Sequence, residues 1–344
     1  MLKRIFLTLT LILLPLSFAV NAATEKETET TTVTDVDRFK PINEEGFVKK
    51  EYAPVKTGSS LENYLPSYAE GTFVKLVAEN KGYYKTLNNR YLQKDSVKLT
   101  DTFYGSNKLT AITYDEKGFS LNMGRATEYS AKLTSTDFEL TLFDTALKEK
   151  SVIKADNKMF SYLDHKYYPS KKTPRLDLKF RLSKKDTFIG YNISFEDNIM
   201  RVDFNKKTED IKILLDCENE KTASLLKQKL ENSGFEVLTA NKEDTNTAKL
   251  QYCLSQSPAA FVSIKETIKQ EPAILYTTST PLAEKTASAT SYPLKQQPQT
   301  LNSTTFCPCF IVEIPAEDST TVKKTTEYIA SSFEEYFKGT SKKS

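Results

Sequence analysis

The sequence predicts a multidomain chain in which N-terminal all-β modules, a small barrel and a β-sandwich, precede an α/β domain with a mainly parallel sheet. Three observations carry this expectation. Short alternating apolar runs divided by turn signals fill residues 46–207, with no convincing helical period between them. From about residue 208 onward, strand-like runs alternate with amphipathic helical patterns. Within that region Ile211–Leu215 (IKILL), a helical pattern and Phe235–Thr239 (FEVLT) form a strand, helix, strand unit, and strands joined by such a crossover lie parallel.

Taken in order, the chain opens with Lys3-Arg4, an apolar run from Ile5 to about Leu16 broken by Pro15, and Val20-Asn21-Ala22 ahead of Ala23. Met1–Ala22 therefore reads as a cleavable secretory signal. No later stretch approaches about 20 apolar residues, so the chain is not expected to span a membrane after signal cleavage. Export places the mature protein in a periplasmic or extracellular setting. A formal charge of +3 over 344 residues gives nucleic-acid binding no support. Ala23–Glu45 is rich in Thr and Glu and nearly free of large apolar residues; it reads as a disordered linker, since it buries too little to offset ordering.

Residues 46–99 carry four strand patterns: Ala53–Ser60, Tyr68–Val77, Gly82–Thr86 and Tyr91–Val97. The order of APVKTGSS, YAEGTFVKLV and GYYKT resembles the bacterial SH3-like (SH3b) domain. The resemblance implies binding of wall peptides or packing against a catalytic neighbour. Tyr83 and Tyr84 are the binding candidates it offers, against the plainer reading of barrel core plus one exposed ring. Residues 100–207 continue in β, with alternation in Leu109–Tyr114, Phe119–Met123, Phe138–Phe143, Leu176–Leu182, Phe188–Phe195 and Ile199–Phe204. This run is similar to the AMIN domain that targets peptidoglycan amidases to the envelope. His165, the only histidine, lies in Tyr162–Lys172 (YLDHKYYPSKK), which reads as a polar loop where a solvated side chain is the ordinary outcome.

The α/β domain, residues 208–340, holds the candidate chemistry. Its first helix places Ala223, Leu226 and Leu230 on one face and stops at Gly234, where a glycine takes the left-handed cap. Further elements follow at Thr247–Leu254, Ala260–Ile264, Ala273–Thr277, Pro281–Ala289, Cys309–Ile314 and Ser319–Phe337, with Ser291–Thr305 a polar loop. The final helix puts Val322, Ile329, Phe333 and Tyr336 on one side to cover a sheet. In open sheets of this kind ligands bind beyond the carboxyl ends of the strands, which directs attention to Asp216, Cys217 and Glu218.

The same residues resemble the zinc-dependent N-acetylmuramoyl-L-alanine amidases. ILLD followed by Glu220-Lys221-Thr222, Val237-Leu238-Thr239, Pro258–Thr267 (PAAFVSIKET) and Pro308–Pro315 (PCFIVEIP) stand in the family's order. The resemblance implies that Glu220 matches a zinc ligand and Glu313 the catalytic glutamate. Its departures are larger: the loop bearing the first zinc histidine is deleted, Lys265 falls on the second zinc histidine, and Ala240 replaces an arginine. A lysine ammonium has no lone pair for a metal. The expectation is therefore a degenerate amidase with no cofactor, zinc being the alternative through Cys217, Glu220 and a carboxylate. Lys265 is then a fixed charge expected to pair with Glu220 and Glu313, the alternative being that all three are ordinary strand-end charges facing solvent. The partner implied is peptidoglycan or a cell-wall hydrolase, the alternatives being an active amidase or a structural protein that touches no glycan. Cys217, Cys253, Cys307 and Cys309 are disulfide candidates in an exported chain, with a metal site or free thiols as rivals.

Overall fold

The computed structural model describes residues 39–339 except 52, 58–62, 150–156, 186, 268–270, 279 and 316–318. The expected signal Met1–Ala22 and most of the expected linker lie outside these residues. The linker ends before Glu45, however, because Lys40–Val48 is already a strand. Its polar start pairs with Phe73–Glu79 alone, Glu45–Val48 pairs with Val97–Thr100 as well, and its end is anchored by Val48, which is buried, and by Phe47, whose ring meets those of Phe73 at 5.4 Å and Tyr104 at 5.9 Å.

The first sheet contains β1 (Lys40–Val48), β2 (Ala53–Thr57), β3 (Asn63–Tyr68), β4 (Phe73–Glu79), β5 (Tyr83–Thr86), β6 (Arg90–Gln93) and β7 (Val97–Thr100). Its order is β3-β2-β6-β5-β4-β1-β7, antiparallel throughout. Next come β8 (Asn107–Tyr114), β9 (Gly118–Met123), β10 (Tyr129–Leu133), β11 (Asp137–Phe143), β12 (Thr145–Leu147), β13 (Phe160–Tyr168), β14 (Arg175–Leu182), β15 (Phe188–Glu196) and β16 (Ile199–Lys206). They form a sheet β10-β11-β14-β13 and a sheet β12-β8-β9-β16-β15. Phe119 and Phe204 of the second of these meet Phe138, Phe160 and Phe180 of the first, with Phe119 stacked on Phe180 at 4.3 Å. Aromatic pairs of this kind add about 1 kcal/mol each beyond the area they bury. His165 sits in β13, not in a loop, because Tyr162–Tyr168 pairs residue by residue with Arg175–Arg181.

The remaining elements are β17 (Lys212–Cys217), α1 (Glu220–Asn232), β18 (Glu236–Thr239), α2 (Asn246–Gln256), β19 (Ala260–Thr267), β20 (Ala273–Tyr276), α3 (Pro281–Thr290), β21 (Leu294–Gln296), β22 (Cys309–Pro315) and α4 (Ser319–Lys338). The sheet order is β18-β17-β19-β22-β20-β21, and β20 runs antiparallel to β22. Asn219 caps α1 by accepting from Lys221 N and Thr222 N, and Gly234 beyond its end takes φ +75°. Alternation divides the sheet. Ile213, Leu215, Val262, Ile264, Val312 and Ile314 meet Leu226 of α1 and Phe333 of α4 on one face. Leu214, Phe261 and Ile311 meet Leu250 of α2 and Leu301 on the other.

The predicted fold class is corrected by this arrangement. In place of separate all-β modules followed by an independent α/β domain, the described residues from Phe39 onward form one compact unit that is predominantly β, with four sheets. One buried core runs without a break from Val48 to Phe204, through the first sheet and both sandwich sheets. The fourth sheet is mixed, and the stretch read as a polar loop after Ser291 contributes β21 to it along with a short 3-10 helix, Thr300–Asn302.

Two buried contacts join the parts. Glu128, fully enclosed, accepts from Tyr68 Oη at 2.8 Å, Thr86 Oγ1 at 2.9 Å and Asn88 Nδ2 at 2.6 Å, with Arg90 Nε at 3.8 Å. Burial raises its carboxyl above the ordinary value even though Asn88, Arg90, Tyr68 and Thr86 favour the ionised form. At the other junction Tyr191 N donates to Thr305 O at 2.8 Å, Thr305 Oγ1 donates to Tyr191 O at 2.7 Å, and Asn205 Nδ2 donates to Pro258 O at 2.8 Å. This approach depends on Gly190, where a Cβ would overlap the Phe306 carbonyl.

Gly190→Ala is expected to lower stability by about 3 kcal/mol, read as a shift in urea midpoint, while Gly82→Ala, with nothing near its Cβ position, changes it by less than about 0.5 kcal/mol. For Glu128 the folded state holds its proton more tightly than the unfolded state. Its contribution is therefore complete below the ordinary carboxyl pKa and falls as pH rises through the raised folded value. Stability measured from pH 4 to 8 should fall more steeply for the natural chain than for Glu128→Gln; equal slopes would refute the assignment.

Candidate functional site

The carboxyl ends of β17, β19 and β22 are where the parallel strands deliver their polar residues. Alternation puts Asp216, Ser263, Lys265 and Glu313 on the same face as Leu214, Phe261 and Ile311, the face under α2 and the 3-10 helix. Here Asp216 is buried, accepting from Lys249 Nζ of α2 at 2.8 Å and from Ser263 Oγ at 2.9 Å. Lys249 is only 5% exposed, so both charges have left water. Such a pair is strongly destabilised when one member is removed, because the other charge is left without a partner. Beside it Lys265 Nζ donates to Gln299 Oε1 at 2.6 Å, with Glu313 its register partner on β22.

The opposite face carries a second set. Cys217, Glu266 and Glu220 lie around the start of α1, which is separated from the end of β17 by only two residues. Glu266 accepts from Asn219 Nδ2 at 2.8 Å and from the Thr222 hydroxyl, tying the strand to the helix N-terminus. Glu220 turns to solvent and pairs with Lys242 Nζ at 2.9 Å, its side chain 80% exposed. Cys217 is buried and donates to Asn219 O; burial first, and then the charges of Glu266, Asp216 and Glu218, push its thiol up to about 12.

The expected charge group therefore does not assemble. Glu220 belongs to the helix side of the sheet and is taken by Lys242, while Lys265 and Glu313 belong to the other side, where Lys265 is taken by Gln299. No ion pair joins Lys265 to either glutamate among the described residues. Tyr83 and Tyr84 are both half-buried in β5, under Lys56 Nζ at 5.0 Å and Lys94 Nζ at 5.1 Å. The four cysteines are free buried thiols, and Cys217 is cut off from the rest by the sheet. Cys253 Sγ and Cys307 Sγ stand 3.9 Å apart, and Cys309 donates to Leu301 O at 2.7 Å.

Zinc is the alternative cofactor, and the described residues do not fit it. A hydrolytic zinc centre needs about three lone-pair donors converging on an open position. Among the described residues no group of three or more His, Cys, Asp or Glu is placed to hold a metal. At the strand ends one candidate position is an ammonium, a second ammonium occupies Asp216, and Cys217 faces the other way. Sequence reasoning missed Lys249 and Gln299. Lys249 does carry a signal, being a lone cation among the apolar positions of α2 beside Leu250 and Cys253.

No protein-family model matches this sequence, and no curated protein matches it. Among solved structures the chain is similar to the catalytic domain of CwlV, the N-acetylmuramoyl-L-alanine amidase from Bacillus (Paenibacillus) polymyxa var. colistinus. The likeness is at 14% identity and a TM-score of 0.34, covering 37% of this chain and 98% of that one. Among the described residues no helix is long and apolar enough to cross a membrane.

Lys249→Met should cost about 3–5 kcal/mol in chemical denaturation by stranding the Asp216 carboxylate. Adding Asp216→Leu should restore at least half of that loss; a double variant no better than Lys249→Met would show that the pair is not the cause.

Proposed function

We propose that this chain is an exported cell-envelope protein with an amidase-like but non-hydrolytic frame, which binds peptidoglycan or regulates a wall hydrolase. The observation that carries the reading is the state of the strand ends. Where the resembled amidases place a zinc histidine, Lys265 presents an ammonium to Gln299, and behind it the Asp216–Lys249–Ser263 network fills the face with satisfied hydrogen bonds. Among the described residues no set of His, Cys, Asp or Glu stands there to hold a metal that would lower the pKa of a water. Glu313 would then be a base with nothing to activate. The order of the ILLD, PAAFVSIKET and PCFIVEIP segments supports the envelope setting, as does the leader pattern in Met1–Ala22.

The test uses the purified mature chain on isolated sacculi. Co-sedimentation with sacculi is expected, with no clearing of a peptidoglycan gel even with zinc added. Clearing abolished by a chelator and by Glu313→Gln would replace this reading with an active amidase. Failure to sediment, with no change in the rate of any added wall hydrolase, would favour a structural protein that touches no glycan.

A further inference from the structure

A cleft lies away from the strand ends of the fourth sheet. It encloses about 420 Å3 and is lined by residues of β3, β10 and β15, with Ser303 and Thr305 closing one end. Each of these strands is the last in its sheet. Three edges thus converge on one cavity, and an edge strand presents backbone N–H and C=O groups that pair with any strand laid beside it.

Which groups face the cleft follows from the hydrogen bonds already made. Tyr191 N donates outward to Thr305 O, so in the two-residue period of an antiparallel ladder Ile193 and Phe195 also turn their backbone groups away from β16. Across the cleft, Tyr191 Oη reaches Ala131 O at 2.9 Å and Arg90 Nη1 reaches Tyr129 O at 3.1 Å, so those residues of β10 turn away from β11. Outside the strand ladders the backbone groups of Ile193 and Phe195 make no backbone hydrogen bond among the described residues, and the buried Ser67 Oγ on the β3 wall has no partner among them. β15 carries no proline or lysine to blunt its edge.

Charge selects the guest. Glu51 and Glu70 line the cleft, while the one cation there, Arg90, is already committed to Glu128, Tyr68 Oη and Tyr129 O. The opening therefore favours a cationic side chain. Like-facing backbone groups repeat every two residues, about 6.8 Å, a spacing that another strand reproduces and a sugar ring does not.

We propose that this cleft binds an extended segment of a partner polypeptide, which pairs as an added strand with β15 and directs a lysine or arginine toward Glu51 and Glu70. This mode supplies affinity through backbone hydrogen bonds and selectivity through alternate side chains. It goes beyond the envelope reading and is independent of sacculus binding.

The experiment is fluorescence anisotropy of the mature chain with a short labelled peptide of alternating threonine and valine around one central lysine. Saturable binding is expected. N-methylation of alternate peptide amides, or D residues at alternate positions, should weaken it by about tenfold or more, since either blocks strand pairing. Glu70→Lys in the protein, or lysine to glutamate in the peptide, should weaken it by about threefold. No binding up to about 1 mM peptide would overturn the proposal. So would equal affinity of the N-methylated peptide, or competition by a soluble glycan fragment at the same site. The N-methyl arm leaves the protein unaltered, so misfolding of a variant cannot imitate the result.

Discussion

The buried carboxylate of Glu128 is the contact on which the relation between the first sheet and the sandwich depends. It lies just before β10, yet three of its partners, Tyr68, Thr86 and Asn88, come from the first sheet, as does Arg90. An enclosed charge with several donors tolerates few alternative arrangements, because any shift that removes a donor leaves desolvated charge behind. Around it the apolar core passes from Val55 and Leu76 to Phe119 and Phe180 without an interruption that would let the parts separate. The cleft is a product of this geometry, since β3 and β10 meet at one cavity only because Tyr68 and Tyr129 are held together, their rings 5.3 Å apart.

A second constraint is the close approach of β15 to the chain entering β22. With no side chain at Gly190, the chain at Thr305 and Phe306 comes close enough for Thr305 to hydrogen-bond Tyr191 through both its carbonyl and its hydroxyl. The same segment continues into Cys307 and Cys309 under α2, so the α/β part and the sandwich share one rigid junction. Ser303 and Thr305 thereby become part of the cleft wall, although they belong to the approach to the fourth sheet.

At the strand ends, the pleat decides which polar groups can act together. A sheet presents successive residues to opposite sides, so Cys217 and Glu266 serve the N-terminus of α1, while Asp216, Ser263, Lys265 and Glu313 lie beneath α2 and the 3-10 helix. Lys249 reaches down from α2 and fixes Asp216, replacing solvent with an ion pair. Asp216, Ser263, Lys265, Cys217 and Glu266 are thus each satisfied by a structural neighbour.

The sequence by itself determined the local elements: the IKILL strand, the helix stopped by Gly234, its return in FEVLT, and the apolar stripe of α4 that buries Ile329 and Phe333. These are legible because periodicity and caps act over a few residues. It also determined that an ammonium stands at Lys265, since identity needs no fold. Only the tertiary structure decided that the β regions share one core, that Lys40–Glu45 is a strand, that His165 lies in β13, and that Glu220 and Lys265 are taken by Lys242 and Gln299. Those outcomes rest on contacts between residues far apart in the chain, such as Asp216 with Lys249 or Tyr191 with Thr305, whose pairing is set by sheet order and register and leaves no local signal.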